Sequence, residues 1–201
     1  MDPIMGNEAR ILIVCTGNIC RSPFIERLLQ HELDERTPEL DQRILVRSTG
    51  TAALVGSGMD VQAAAQLVAH GGDPSSFTAR ELSPALIAES DLVLTATRDH
   101  RGKVAQMSPS AMRRVFTLRD FAHLVAGIDG PRASAPALSG SRAWVRQVTE
   151  KAAASRGLKP PLAPDLADIV DPYRREDEVF ATMAQQVVEP IAVIVATLVR
   201  S

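Results

Sequence analysis

The residues best able to do chemistry are Cys15 and Arg21, with five residues between them in Ile11-Leu-Ile-Val-Cys-Thr-Gly-Asn-Ile-Cys-Arg-Ser-Pro23. Gly17 and Asn18, between them, are the residue types that most readily accept positive φ. A loop built on them can turn successive N–H groups inward, and a helix start behind it adds partial positive charge, which together make an anion site. Such a field favours a thiolate at Cys15, and the guanidinium fork of Arg21 can take two oxygens of one phosphate. A nucleophile and an oxyanion clamp thus face one pocket, whose remaining lining comes from Thr16, Gly17, Asn18, Ile19, Cys20 and Ser22. A free cysteine is more commonly a buried strand-end residue, but that reading leaves the accompanying Gly, Asn and Ser-Pro unexplained. No Gly-Lys-Ser/Thr follows, so the segment is not a nucleotide-binding loop.

Two elements must position this loop. Ile11 to Val14 is a continuous apolar run, the pattern of a strand buried on both faces of a parallel sheet, so Cys15 arrives at a strand's carboxyl end. Ser22 is expected to cap the next helix with Pro23 in its first turn, and the helix continues through Phe24, Ile25, Leu28, Leu29 and Leu33. Further strands are predicted over Ile44–Ser48, Asp91–Thr95 and Val115–Leu118. Helices are predicted over Val61–His70 behind Asp60, from Ser83-Pro84, over Arg98–Met107 behind Thr97, over Arg119–Ile128, and over Glu176–Arg200 with a kink near Pro190. Strands separated by helical patterns imply right-handed crossovers and an α/β fold: a single doubly wound, four-stranded parallel sheet flanked by helices. Ligands in such sheets bind at the strand carboxyl ends, where Cys15 is placed.

The segment Cys15-Thr-Gly-Asn-Ile-Cys-Arg-Ser-Pro23 resembles the signature of the low-molecular-weight protein tyrosine phosphatases. Ser48-Thr-Gly-Thr51 is similar to that family's Ser-Ala-Gly-Thr segment, which implies that Ser48 supports Asn18. The resemblance also implies a use for Asp168-Ile-Val-Asp-Pro-Tyr173, which alone would read as a turn. Pro172 biases Asp171 toward an extended conformation that projects from a loop, and the family's Asp-Pro-Tyr acid loop likewise lies near the carboxyl terminus. Asp171 becomes the expected general acid, Tyr173 a pocket wall, and Asp168 a carboxylate lacking the Pro-Tyr context. The family often places an aromatic in the loop equivalent to Thr51–Gly58 and a bracing histidine near Phe77-Thr-Ala-Arg80; here the first has no aromatic and the second offers Thr78.

A chain of 201 residues with 45% hydrophobic content can bury one good core, so 1–201 is read as one phosphatase domain. Residues 129–164 are rich in Pro, Ala, Gly and Ser around one helical stretch, Ser141–Arg156; members of the family that the chain resembles are commonly shorter here, which implies an insertion before the C-terminal helix. Its Trp144 reads as an anchor to the core rather than part of a cover over the pocket. The net charge of −2 gives no global reason to expect nucleic acid or an anionic membrane. Arg98, His100, Arg101 and Lys103 read as a solvated helix face rather than a substrate-gathering rim. Cys15 and Cys20 are the only cysteines. They form no disulfide framework or metal motif, no His pair has metal spacing, and a reducing cytoplasm fits best. Cys20 stands equally as a small buried filler and as a partner in a reversible disulfide with Cys15. The polar start is not a secretory signal, and Val187 to Val199, broken by Glu189 and Pro190, is too short to span a bilayer.

These readings converge on metal-independent, cofactor-free hydrolysis of phosphotyrosine or a small aryl phosphate through a phosphocysteine, by a monomer or weak dimer. Two alternatives stay open. One is an arsenate reductase of the same fold using an external thiol, since relay cysteines outside the loop are absent. The other is a phosphate-binding module without catalysis.

Overall fold

The computed structural model describes residues 8–36, 43–128 and 141–199. Four strands form one parallel sheet in the order β2-β1-β3-β4: β1 (Ala9–Cys15), β2 (Ile44–Gly50), β3 (Leu92–Thr95) and β4 (Val115–Thr117). β1 lies centrally, pairing Cys15 with Gly50 on one side and Val14 with Thr95 on the other. The chain leaves β1 toward β2 on one side while β3 lies on the other, so the sheet's switch point opens at the end of β1. That is where open α/β sheets hold ligands.

Alternation along β1 serves two cores. Ile11 and Ile13 point into a large cluster with Phe24, Leu29, Phe116 and Phe121, while Leu12 and Val14 join Ile87, Val93 and Val104 on the opposite face. The first face is covered by α1 (Arg21–Arg36), α5 (Leu118–Val125), α6 (Ser141–Ser155) and α8 (Asp177–Leu198), and the second by α3 (Pro84–Glu89) and α4 (Arg98–Met107). Two shorter segments, α2 (Val61–Ala69) and α7 (Pro164–Ala167), complete the helices, with a 3₁₀ turn at Pro109–Arg114 before β4. Capping follows local chemistry: Asp60, Ser83, Thr97 and Thr117 each accept main-chain N–H groups of the helix that follows.

Several boundaries differ from expectation. Leu118 starts α5 instead of ending β4, because Thr117 caps the helix through Asp120 N. α8 runs without interruption from Asp177 to Leu198 with Pro190 inside it. Length and composition would let α8 cross a bilayer, but Phe180, Met183, Val187, Ile191 and Ile194 are buried in the fold's own core.

The described part of 129–164 also belongs to the core. Trp144, Val145, Val148 and Ala152 of α6 are buried, and the indole N–H of Trp144 donates to Thr197 O at 3.1 Å. Arg142 and Arg146 close on the buried carboxylate of Asp91 at 3.0 and 2.7 Å, and Asp91 also accepts the amide of Arg10. These contacts lie at the amino ends of β1 and β3, away from Cys15. The first part of the segment, residues 129–140, lies outside the described residues.

Candidate active site

The loop from Thr16 to Cys20 is shaped by the segment that follows β2. Thr51 N donates to Cys15 O, Ala52 N to Thr16 O, Leu54 N to Gly17 O and Asp60 N to Ile19 O, at 2.9 to 3.0 Å. In a trans peptide the next residue's N–H points opposite to the carbonyl. With four carbonyls drawn outward, the amides of Thr16, Gly17, Asn18 and Cys20 face inward. Gly50 permits this approach, because a Cβ there would lie 2.2 Å from Thr16 O. Asn18 adopts φ 53°, the left-handed conformation expected of this loop.

A hydrogen-bonded chain runs from Cys15 into the core. The Asn18 side-chain oxygen accepts from Arg80 N at 2.8 Å, which fixes the orientation of its amide. The amide nitrogen then donates to both Ser22 and Ser48 Oγ, each at 2.8 Å. Ser48 passes its own proton to Glu26 Oε2 at 2.5 Å, so it can only accept from Asn18. Ser22 likewise accepts, and its proton is left for the Cys15 sulfur at 2.9 Å, with Thr49 O at 3.3 Å as a weaker partner. The Arg80 amide thus sets the polarity at Asn18, and Ser22 Oγ, accepting from Asn18, is placed to donate to a thiolate at Cys15.

Three readings change here. Ser22 does not cap α1, which begins at Arg21; its hydroxyl turns inward because Asn18 and Cys15 compete for it. Thr78 is exposed and braces nothing at Asn18, since the Arg80 amide does that work. The basic helix is not wholly a solvated face, because His100 is 4% exposed. Its Nε2 lies 2.8 Å from Thr16 Oγ1 and its Nδ1 2.7 Å from Thr97 Oγ1. In the sequence alone Glu26 has no assigned role and His100 falls on a solvated helix face, though each carries a signal of its burial. Glu26 lies four residues after Ser22 and three before Leu29, on one inward helix face, and His100 lies three residues after its cap, where a side chain folds back on the turn.

Ser48 is buried and contacts Asn18 as expected. Cys20 packs with Ile19, Ala63, Phe77 and Phe180; burial foremost, then Asp60, pushes its thiol up to about 12. Both cysteines are free thiols. Burial also raises the Glu26 carboxyl above the usual range, against the hydrogen bond from Ser48 and the nearby Arg80 and Arg27.

The Asp168–Tyr173 segment is tied to the site by a main-chain bond: Ile169 N donates to Ala96 O at 2.9 Å, just beyond β3. Asp168 is held by Arg98, whose amide donates at 2.8 Å and whose guanidinium grips both carboxylate oxygens. That pins Asp168 to the start of α4 and leaves Asp171 to face the cavity. Asp171 Oδ2 accepts from Arg21 Nη2 at 2.6 Å, while Tyr173 N donates to its other oxygen at 3.2 Å. Cys15, Thr16, Gly17, Ile19, Cys20, Arg21, Asp171 and Tyr173 converge on one cavity of about 170 Å³, with Ala52 and Leu54 completing its wall. Asn18 and Ser22 stand behind it, fully buried. Among the described residues no cluster of His, Cys, Asp and Glu is arranged to hold a metal ion.

Residues 10–154 match the sequence model of the family described as low molecular weight phosphotyrosine protein phosphatase. The chain belongs to this family. The matched span covers the phosphate loop and ends before Asp171. Wzb of Salmonella typhi, a low molecular weight protein-tyrosine-phosphatase, is 37% identical over 107 residues, covering 53% of this chain and 66% of that relative. The alignment thus spans just under two thirds of the relative's length. Among solved structures, Vibrio vulnificus Wzb in complex with benzylphosphonate superposes with a TM-score of 0.63 at 25% identity, covering 93% of this chain and 97% of the other. The YwlE arginine phosphatase of Geobacillus stearothermophilus gives 0.64 at 26% identity, covering 93% and 90%.

Two measurements test the phosphatase family's loop as it is built here. Asn18→Ala removes a left-handed residue and strands two buried hydroxyls and one amide, so it should cost about 2–4 kcal/mol in urea unfolding; an unchanged midpoint would show that the chain does not hold the loop. His100 is pushed down to about 4, first by burial and then by Arg21 and Lys103, against Asp171 and Asp99. The unfolded imidazole takes its proton near 6.5, so this group's stability is complete above that pH and is lost as pH falls toward 4. Between pH 7 and 4.5 the wild type should lose about 2 kcal/mol more than His100→Gln; equal losses would show a histidine not held neutral.

Proposed function

We propose that this protein hydrolyses aryl phosphate monoesters, phosphotyrosine foremost, through a phosphocysteine and without a metal. The observation that carries the reading is the convergence of Cys15, a loop of inward amides, Arg21 and Asp171 on one cavity. An entering phosphoryl group competes with Asp171 for Arg21, so the guanidinium turns to the phosphoryl oxygens and the carboxyl is released toward the ester oxygen. Asp171, once parted from Arg21, takes up a proton from solvent; the Cys15 thiolate attacks phosphorus in line, the phosphorus–oxygen ester bond breaks, and Asp171 gives that proton to the departing oxygen. Inward amides and Arg21 hold the equatorial oxygens. Water then attacks phosphorus and loses a proton to Asp171; the sulfur–phosphorus bond breaks, and Ser22 donates to the departing thiolate.

Ile19, Ala52, Leu54 and Tyr173 give the cavity apolar walls, which favour an aryl ring. Phosphoarginine, suggested by the likeness to an arginine phosphatase, would bring a guanidinium that finds Asp171 as the one carboxylate among the described residues of that lining. The reading also takes the chain as one cofactor-free, cytoplasmic domain carrying an insertion at 129–164. It would act as a monomer or weak dimer on a phosphotyrosine protein or a small aryl phosphate.

Initial rates of chelator-treated protein on phosphotyrosine peptide, phosphoserine peptide, phosphoarginine and arsenate with an external thiol test this choice. Phosphotyrosine should be turned over fastest. Faster thiol-dependent arsenite release would make the protein a reductase, and phosphopeptide binding without turnover would make it a binding module.

A further inference from the structure

One side-chain pair reaches the phosphate loop from a helix that the proposed reaction leaves unused. Thr16 lines the cavity, and its Oγ1 lies 2.8 Å from Nε2 of His100. The other ring nitrogen lies 2.7 Å from Thr97 Oγ1. A neutral imidazole carries one N–H and one lone pair on its ring nitrogens, so one hydroxyl donates to the ring and the other accepts from it. Each contact can run in either direction, according to the tautomer. Thr97 Oγ1, the cap of α4, also accepts the main-chain N–H of His100 at 3.4 Å, and its own proton can point to Nδ1 at 2.7 Å. In that arrangement the ring proton sits on Nε2, Nε2–H donates to Thr16 Oγ1, and the Thr16 hydroxyl proton is left for the cavity.

We propose that Thr16 donates its hydroxyl proton to a phosphoryl oxygen, and that His100, through Nε2–H, is the positioning residue that holds it in the donating orientation. The inference rests on reading the site as one that binds and cleaves phosphate esters. It adds a side-chain donor to the inward amides and Arg21. Burial of His100, helped by Arg21 and Lys103 and opposed by Asp171 and Asp99, keeps the ring neutral down to about pH 4, so the same donor is present above that pH. A charge-assisted bond of this kind can add to rate where charge builds on the phosphoryl oxygens.

Kinetics on p-nitrophenyl phosphate with Thr16→Val, Thr16→Ser, His100→Leu, His100→Gln and the double variant Thr16→Val/His100→Leu test it. Thr16→Val should lower kcat/KM on the order of 10-fold to 10²-fold and weaken competitive inhibition by inorganic phosphate. Thr16→Ser, which keeps the hydroxyl, should stay within a few-fold of wild type. His100→Leu should lose about as much as Thr16→Val, His100→Gln should recover part, and the double variant should be no worse than Thr16→Val alone. Full activity in Thr16→Val, or a double loss equal to the product of the single losses, would overturn the proposal. If His100→Leu fails to fold, the Val and Ser pair at Thr16 decides alone. Nitrogen NMR of the wild type should place the ring proton on Nε2; a proton on Nδ1 would make Thr16 the donor to the ring and overturn it. Should wild type leave p-nitrophenyl phosphate uncleaved, the phosphatase reading fails, and calorimetric titration of inorganic phosphate into wild type and Thr16→Val still decides the Thr16 contact.

Discussion

Cys15→Ser should lower turnover of p-nitrophenyl phosphate by on the order of 10⁴-fold or more, while inorganic phosphate still binds. A serine hydroxyl is a far weaker nucleophile than a cysteine sulfur, while the inward amides of Thr16, Gly17, Asn18 and Cys20 are unchanged by the substitution. The oxyanion-binding part of the site is main chain plus Arg21 and survives the change. Competitive phosphate binding to the inactive variant separates the two roles. Retention of wild-type turnover would remove Cys15 from the reaction altogether.

Asp171→Asn should slow the same reaction about 10²–10⁴-fold, with a graded signature. A general acid matters most when the leaving oxygen is basic, so the loss should grow from p-nitrophenyl phosphate to phenyl phosphate to phosphotyrosine. Asp168→Asn serves as the internal contrast. Asp168 is fastened to Arg98 by three side-chain contacts and should leave the leaving-group dependence as in wild type. If Asp168→Asn instead reproduces the graded loss and Asp171→Asn does not, the acid has been assigned to the wrong carboxylate. Neither substitution touches the core, so unfolding midpoints should remain close to wild type.

Much of this was legible because local chemistry is strong at the site. The apolar run of β1, positive-φ residue types in the loop, Pro23 in the first helical turn and the Asp-Pro pair each speak through a backbone constraint visible within a few residues. The same holds for the caps at Asp60, Ser83 and Thr97. Residues whose roles depend on distant partners were harder. Ser22 looks like a cap when only its neighbours are considered, and becomes a donor to sulfur when Asn18 and Cys15 compete for it. Glu26 and His100 look like surface charge on helices, yet each is buried because the helix face it occupies turns toward the loop.

The family resemblance marks the Asp-Pro-Tyr segment, which alone reads as a turn, as the expected place for an acid. By itself the sequence determined the α/β class, the position of Cys15 at a strand end, and the loop with its arginine. These follow from periodicity, steric limits on φ and side-chain functional groups, all properties of short stretches of chain. Only the tertiary structure decided which way each proton points. The Arg80 amide orients Asn18, Glu26 orients Ser48, and the end of β3 carries the Asp171 loop to Arg21 across 150 residues of sequence. Hydrogen-bond direction depends on the full set of competing donors and acceptors around a group, and that set exists only once distant segments have packed together.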